Sequence, residues 1–127
     1  MKTPRLLQES HIQQTVTEFL QLDGWHAIRT DPVSDRKRGK GFGELGMPDY
    51  LFIRYWPTFR GAPDIRLSTD ETIAQVLWIE FKAPGKKPKA HQLAWHEAER
   101  KRGALVLVAD DIDKFIGWYY NSGLKRR

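Results

Sequence analysis

The chain has 127 residues, of which 40% are hydrophobic and 29% charged, so we expect one globular domain over residues 1–127 rather than a disordered segment. The absence of cysteine excludes disulfides and thiolate zinc sites. A net charge of +5 is compatible with a polyanionic partner. No apolar run approaches the ~20 residues of a membrane span, and the polar N-terminus is unlike a signal peptide. We therefore expect a cytoplasmic protein with no membrane partner.

Hydrophobic periodicity, together with the positions of glycine and proline, predicts an α/β chain of seven elements. They are a helix, three strands, a helix, a strand and a helix, over residues 4–22, 25–30, 49–56, 75–82, 88–102, 104–109 and 111–120. In the first helix, the apolar stripe consists of Ile12, Val16, Phe19 and Leu20. The third strand is apolar on both faces until its last residues, which predicts a central position in the sheet. The strand–helix–strand unit that follows implies a parallel pair with a right-handed crossover.

Charged side chains stand at the ends of two of these apolar strands. Asp49 opens the second strand, and Glu80 and Lys82 close the third. Because side chains alternate along a strand, Glu80 and Lys82 project from one face, about 6–7 Å apart along it. If Asp49 lies on a neighbouring strand near the same edge, two carboxylates and an ammonium converge. Taken one by one, each has an ordinary explanation, Asp49 as a turn residue and the other two as a solvated ion pair.

Together, these three groups suit the hydrolysis of a phosphodiester. Two carboxylates on stiff strands suit a hard divalent ion such as Mg²⁺, which takes few protein ligands and keeps several waters. A bound metal lowers the pKa of a water and polarises a phosphoryl oxygen. A nearby lysine can hold the attacking water or neutralise the charge that develops on the phosphate.

The ordered set of motifs is more specific than its parts. Gly46-Met47-Pro48-Asp49 followed by Glu80-Phe81-Lys82 resembles the PD-(D/E)XK nuclease signature. Within that superfamily the chain is most similar to the small stand-alone VRR-NUC domains of phage and bacterial type. Further points of resemblance are Glu9 in the first helix, Gly24-Trp25, and Gln92 in the second helix. The resemblance covers nearly the whole chain and implies a restriction-endonuclease-like core, with a central mixed β-sheet flanked by helices.

The same resemblance implies a metal-dependent DNA nuclease and assigns roles to residues. Asp49 and Glu80 would bind Mg²⁺ or Mn²⁺, with the backbone carbonyl of Phe81 as a further metal contact. Lys82 would be the catalytic lysine. By the same carry-over, Gln92 and Glu9 would support the site, and Glu9 is also a candidate metal ligand.

The chain departs from the family pattern in two places and contains one competing motif. His91 stands where many members have Ser or Thr, and the stretch over residues 57–72 between the motif strands is long; both concern substrate geometry. Pro63-Asp64 is a second Pro-Asp pair, closer to Glu80 in sequence. We assign Asp64 to a turn, because only a short apolar stretch follows it.

Two basic runs are candidate DNA contacts, although a solvated surface is the ordinary explanation for any single run. One lies in the turn before the second helix, where free N–H groups attract phosphate. The other lies in the long connection after the first strand. The runs consist of Lys86, Lys87 and Lys89, and of Arg36, Lys37, Arg38 and Lys40.

The C-terminal helix carries more apolar surface than one buried stripe requires. Its large residues are Ile112, Phe115, Ile116, Trp118, Tyr119 and Tyr120. A two-fold dimer would supply the two active sites that cutting both strands requires, and the resemblance implies a homodimer acting on branched or four-way junction DNA. We predict Trp118 or Tyr120 near the interface. Two alternatives remain: a nucleic-acid-binding or protein-interaction module with little activity, against which the intact Asp-Glu-Lys set argues, and an RNA-specific nuclease.

Overall fold

The computed structural model describes residues 4–30, 44–56 and 73–125. Its elements confirm the predicted order, and each boundary lies within two residues of the prediction. They are α1 Pro4–Leu22, β1 His26–Arg29, β2 Tyr50–Trp56, β3 Ile73–Phe81, α2 Ala90–Lys101, β4 Leu105–Ala109 and α3 Ile112–Ser122. None of these three helices has the length and apolar character that crossing a membrane requires.

The described strands form one mixed sheet in the order β1-β2-β3-β4. The β1–β2 and β2–β3 pairs are antiparallel, and β3 runs parallel to β4 across the α2 connection. β3 is thus an interior strand with a partner on each side, as its continuous apolar sequence predicts. The fold is α/β with a mixed sheet flanked by helices, which confirms the restriction-endonuclease-like core.

The two faces of the sheet pack against different helices. The face that carries Phe52, Leu77, Ile79 and Phe81 forms the main core with α1 and α3, and these four side chains are buried. Burying one such side chain contributes about 1.5–3 kcal/mol. The α1 contribution is the predicted stripe: Ile12, Val16 and Leu20 are buried, with Phe19 partly buried beside them.

The opposite face of β3 lies against α2. The rings of Trp78 and Trp95 meet edge to face, with centroids 4.9 Å apart. Two residues farther along β3, Glu80 projects from the same face, because strand side chains alternate. The short helix α2 therefore covers the end of β3 that carries the predicted site.

A buried polar cluster ties the chain together at the other end of β2. The guanidinium of Arg54 donates to Asp23 Oδ2 at 3.1 Å and to the carbonyl oxygen of Leu124 at 2.7 Å. It also lies 4.4 Å from the ring centroid of Trp25. Burial and the hydrogen bond to Asp23 raise the pKa of Tyr119 to about 12. This cluster anchors the residues after α3 about 16 Å along β2 from Asp49, at ~3.3 Å per residue.

Candidate functional site

Asp49 is fixed just before β2 by contacts to the end of β3 and to the residue that follows β1. Tyr50 is paired with Ile79, so extending the antiparallel register by one residue places Asp49 opposite Glu80. Side chains of opposed residues share a face, with Cβ atoms about 4.5–5.5 Å apart. Asp49 Oδ2 accepts a hydrogen bond from the amide of Phe81 at 2.9 Å, and its carbonyl oxygen accepts one from the amide of Thr30 at 2.9 Å. The predicted convergence of Asp49 with Glu80 is what this register produces.

Glu80 is a buried carboxylate, 2% exposed, that α2 surrounds with donors. Gln92 Nε2 donates to Oε2 at 2.9 Å, and His96 Nε2 lies 3.3 Å from Oε1. Burying a charge is costly unless it is paired and hydrogen-bonded. These contacts offset that cost and allow an acid to remain beneath a helix.

Lys82 lies on the same side of β3 as Glu80, as strand alternation predicts. Its ammonium is 4.0 Å from Glu80 Oε2, and its side chain is 13% exposed. The Lys82 amide donates to the carbonyl oxygen of Ala109 at 3.1 Å, which continues the β3–β4 ladder one residue past the strand. The ladder thus fixes the backbone of Lys82, and its ammonium lies within ion-pair distance of Glu80.

Gln92 serves both the helix and the site. It lies in the first turn of α2, where its Oε1 accepts from the amide of Lys89 at 2.8 Å while its Nε2 donates to Glu80. Using both ends of one amide fixes its orientation. The structure therefore brings the predicted supporting residue Gln92 to Glu80.

The loop before Asp49 packs against the same helix. Trp95 Nε1 donates to Glu44 Oε1 at 2.7 Å. Gly46 has φ +90°, and a Cβ there would overlap the carbonyl oxygen of His91 and lie 3.1 Å from Trp95 Cβ. Only glycine allows this approach without strain. α2 consequently contacts both the loop that leads to Asp49 and the side chain of Glu80.

His96 is the site residue that the sequence analysis did not assign. It is fully buried and contacts Glu80 Oε1. Burial, followed by the positive charges of Arg100 and Lys82, lowers the pKa of His96 below its ordinary value, which favours the neutral ring. A signal was present in the sequence: His96 follows Gln92 by four residues, which places both on one helix face.

The donor set fits a Mg²⁺ or Mn²⁺ ion with few protein ligands. Within the described ranges, no group of three or more His, Asp or Glu side chains could hold a metal ion. Mg²⁺ is commonly bound through only one or two carboxylates and keeps several waters. Asp49 and Glu80 supply two such carboxylates. An ionised carboxylate accepts at about four lone-pair positions, so the bonds that Glu80 receives are compatible with a metal contact.

The remaining predicted metal contacts stay predictions. Gln13 Nε2 donates to the hydroxyl of Tyr50 at 3.4 Å, so this part of α1 lies near the residue after Asp49. Glu9 is one turn earlier on α1, but within the described residues no hydrogen bond or ion pair joins it to the site. Phe81 is at the site through its amide, and its carbonyl remains a proposed ligand.

The basic residues divide between described and undescribed parts of the chain. Lys86, Lys87 and Lys89 are exposed in the turn between β3 and α2, beside the carboxylates' end of the sheet. The other predicted contacts and the rejected acid lie outside the described residues: Arg36, Lys37, Arg38, Lys40 and Asp64.

A mixed sheet that places Asp49 opposite Glu80, with Lys82 two residues on, has the arrangement of the PD-(D/E)XK nuclease class. Comparison with solved structures finds a match to a chain described as a VRR_NUC domain, with a TM-score of 0.60 and 25% sequence identity. The match covers 89% of this chain and 95% of that one. No family model matches the sequence, and a search of curated proteins gives no match. The resemblance to VRR-NUC domains is confirmed, and the chain has the fold of that nuclease domain.

Proposed function

We propose that this protein is a divalent-metal-dependent deoxyribonuclease that hydrolyses phosphodiester bonds. The observation that carries the proposal is the meeting of Asp49, Glu80 and Lys82 at one end of β2 and β3, within a nuclease-domain fold. A module that only binds nucleic acid or protein does not require a buried carboxylate beside a lysine, because burial of Glu80 costs stability. The alternative of a binding module with little activity is therefore the weaker one.

The residues of the site have complementary roles in this reaction. Asp49 and Glu80 would hold Mg²⁺ or Mn²⁺, which when bound supplies a water of lowered pKa and an electrophile for the phosphoryl oxygen. Lys82 orients the attacking water or stabilises the negative charge that develops on the phosphate. The amide of Phe81 fixes the carboxylate of Asp49, and Gln92 fixes that of Glu80.

DNA is the proposed substrate, and the turn before α2 is the proposed backbone contact. Lys86, Lys87 and Lys89 are exposed there, and the first amides of α2 present a positive dipole end to a phosphate. The net charge of +5 favours approach of a polyanion.

Cleavage of labelled linear, flapped and four-way DNA tests the proposal. We expect cleavage with Mg²⁺ or Mn²⁺, none in excess EDTA, and poor cleavage with Ca²⁺, whose looser coordination at ~2.3–2.6 Å positions a water less well. Undiminished cleavage in excess EDTA would rule out the metal-dependent mechanism. Parallel assays on RNA of the same sequence separate a deoxyribonuclease from a ribonuclease.

Site variants assign the activity to the chain's own residues. We expect Asp49→Ala, Glu80→Gln and Lys82→Ala each to lower cleavage at least ~100-fold without unfolding the protein, because the groups act as a unit. Asp64→Ala is the control and should retain activity. Near-normal turnover in a folded variant removes that residue from the mechanism, and an inactive Asp64→Ala protein would mean that the other Pro-Asp pair is the functional one.

We also propose that the protein acts as a homodimer with a preference for branched DNA. Tyr120 on α3 is 54% exposed, and Leu22 at the end of α1 is 91% exposed. Large apolar side chains at the surface favour association with a partner. Trp118, the other predicted interface residue, is partly buried against the core, so Tyr120 is the better candidate for a contact between subunits.

A further inference from the structure

Two side chains of α2 approach the two oxygens of one carboxylate. Gln92 and His96 are four residues apart and so project from the same face of the helix. Gln92 Nε2 meets Glu80 Oε2 at 2.9 Å, and His96 Nε2 lies 3.3 Å from Oε1. The carboxylate is therefore held at both oxygens from one rigid element.

The chemistry of the acceptor determines the direction of the bond from His96. An ionised carboxylate only accepts, so His96 Nε2 must carry the hydrogen whether the ring is neutral or charged. In the neutral ring, Nδ1 is then an acceptor, and it has no hydrogen-bond partner within the part of the chain that the structure describes. A buried, unsatisfied polar atom costs about 1–3 kcal/mol. A leucine here would fill the core without that cost, so packing alone does not account for a histidine.

We infer that His96 is a positioning residue that fixes the carboxylate of Glu80, together with Gln92, in the orientation required of a metal ligand. The inference rests on the proposed function and deepens it. The terminal torsion angle of a glutamate side chain has a broad, roughly two-fold distribution, so a carboxylate without hydrogen-bond partners rotates readily. Donors at both oxygens stop this rotation, and partners of this kind typically change metal affinity by 10–100-fold.

Mn²⁺ binding to the full chain without DNA tests this role apart from catalysis. His96→Leu removes the donor and fills the space, whereas His96→Gln places an amide nitrogen near the position of Nε2. We expect Mn²⁺ affinity to fall 10–100-fold in His96→Leu and to recover largely in His96→Gln. His26→Leu, at an exposed histidine on β1, is the matched control and should bind Mn²⁺ like the parent.

A second pair of variants covers the case in which His96→Leu does not fold. His96→Asn has the same amide as His96→Gln on a shorter side chain, near the position of Nδ1, and does not reach Glu80. Weaker Mn²⁺ binding by His96→Asn than by His96→Gln supports the inference. Equal binding by these two, or parent-like binding by a folded His96→Leu, overturns it.

The parent protein distinguishes failure of this inference from failure of the proposed function. If the parent binds Mn²⁺ and loses it in Asp49→Ala, the metal site is present, and the His96 variants then decide the positioning role by itself. If the parent binds no Mn²⁺ that depends on Asp49, both proposals are wrong.

Discussion

Gly46 shows how one residue controls the position of the predicted catalytic acid. Its φ of +90° strains any other residue, and its Cβ position is taken by the backbone of α2. Gly46→Ala should therefore push the loop away from α2 and move Asp49, three residues on. We expect a loss of stability and a lower Mn²⁺ affinity, measured by urea unfolding and by titration of the DNA-free protein.

Gly103→Ala is the matched control for this substitution. Gly103 has a similar φ of +104°, but nothing lies within 4 Å of its Cβ position. Gly103→Ala should lower the free energy of unfolding only by the backbone strain, about 1–2 kcal/mol. Gly46→Ala adds a steric overlap that typically costs another ~1–3 kcal/mol. Equal stability losses, with Mn²⁺ affinity unchanged in both, would show that the loop does not depend on its contact with α2.

The residues that the sequence predicted are those whose position follows from local rules. Strand alternation placed Glu80 and Lys82 on one face, the start of an apolar strand marked Asp49, and the resemblance added Gln92. His96 was missed because its meaning depends on which face of α2 lies over Glu80, which is a tertiary fact. Arg54 was not assigned for a related reason: it shares the core-facing side of β2 with Phe52, and its partners Asp23 and Leu124 come from distant parts of the chain, so its 2% exposure follows from tertiary contacts.

Among the elements, α2 connects the predicted site to the sheet. The sequence predicts a helix from Pro88, but α2 begins at Ala90, because the Gln92 side chain caps the amide of Lys89. Helix propensity does not predict such a cap, because the orientation of the Gln92 side chain also depends on its hydrogen bond to Glu80. The interior position of β3 and the parallel β3–β4 pair were predicted, the first from its continuous apolar sequence and the second from the strand–helix–strand unit.

The turn into α2 gives a prediction about DNA affinity at the scale of this element. Replacing Lys86, Lys87 or Lys89 with Gln should weaken binding to all sequences alike. Each lost phosphate contact should also flatten the slope of log affinity against log salt by about 0.9. Binding of the Asp49→Ala protein, which is not expected to cut, provides the measurement across a series of salt concentrations.

Lys101→Gln provides the control on the same helix. Lys101 is exposed at the opposite end of α2, about 16 Å from Ala90 at ~1.5 Å per residue. Lys101→Gln removes the same charge as the variants in the turn. Comparing their salt slopes therefore separates the effect of a local phosphate contact from that of net charge. If all four variants change the slope equally, the turn has no special role and its lysines belong to a solvated surface.

At the scale of the whole molecule, the main hydrophobic core and the predicted site lie on opposite faces of one sheet. The core shared with α1 and α3 contains the large apolar side chains, while the α2 face has the predicted site. This separation leaves α3 with one face toward the core and Tyr120 exposed on another. Where a second copy would bind is a property of surfaces rather than of local sequence, so the sequence alone predicted the candidate residues but not their exposure.

Assembly is the last prediction, and it concerns Tyr120 directly. We expect light scattering at micromolar concentration to give twice the chain mass of 14.8 kDa. Tyr120→Glu should shift the mass toward the monomer, because a charge in an apolar interface is costly to desolvate. Asn121→Glu adds the same charge at the next exposed position and should leave the dimer intact. A parent protein that stays monomeric, with or without DNA, rules out the dimer. A dimer that cuts linear duplex as well as it cuts a four-way junction supports the dimer but rules out the preference for junctions.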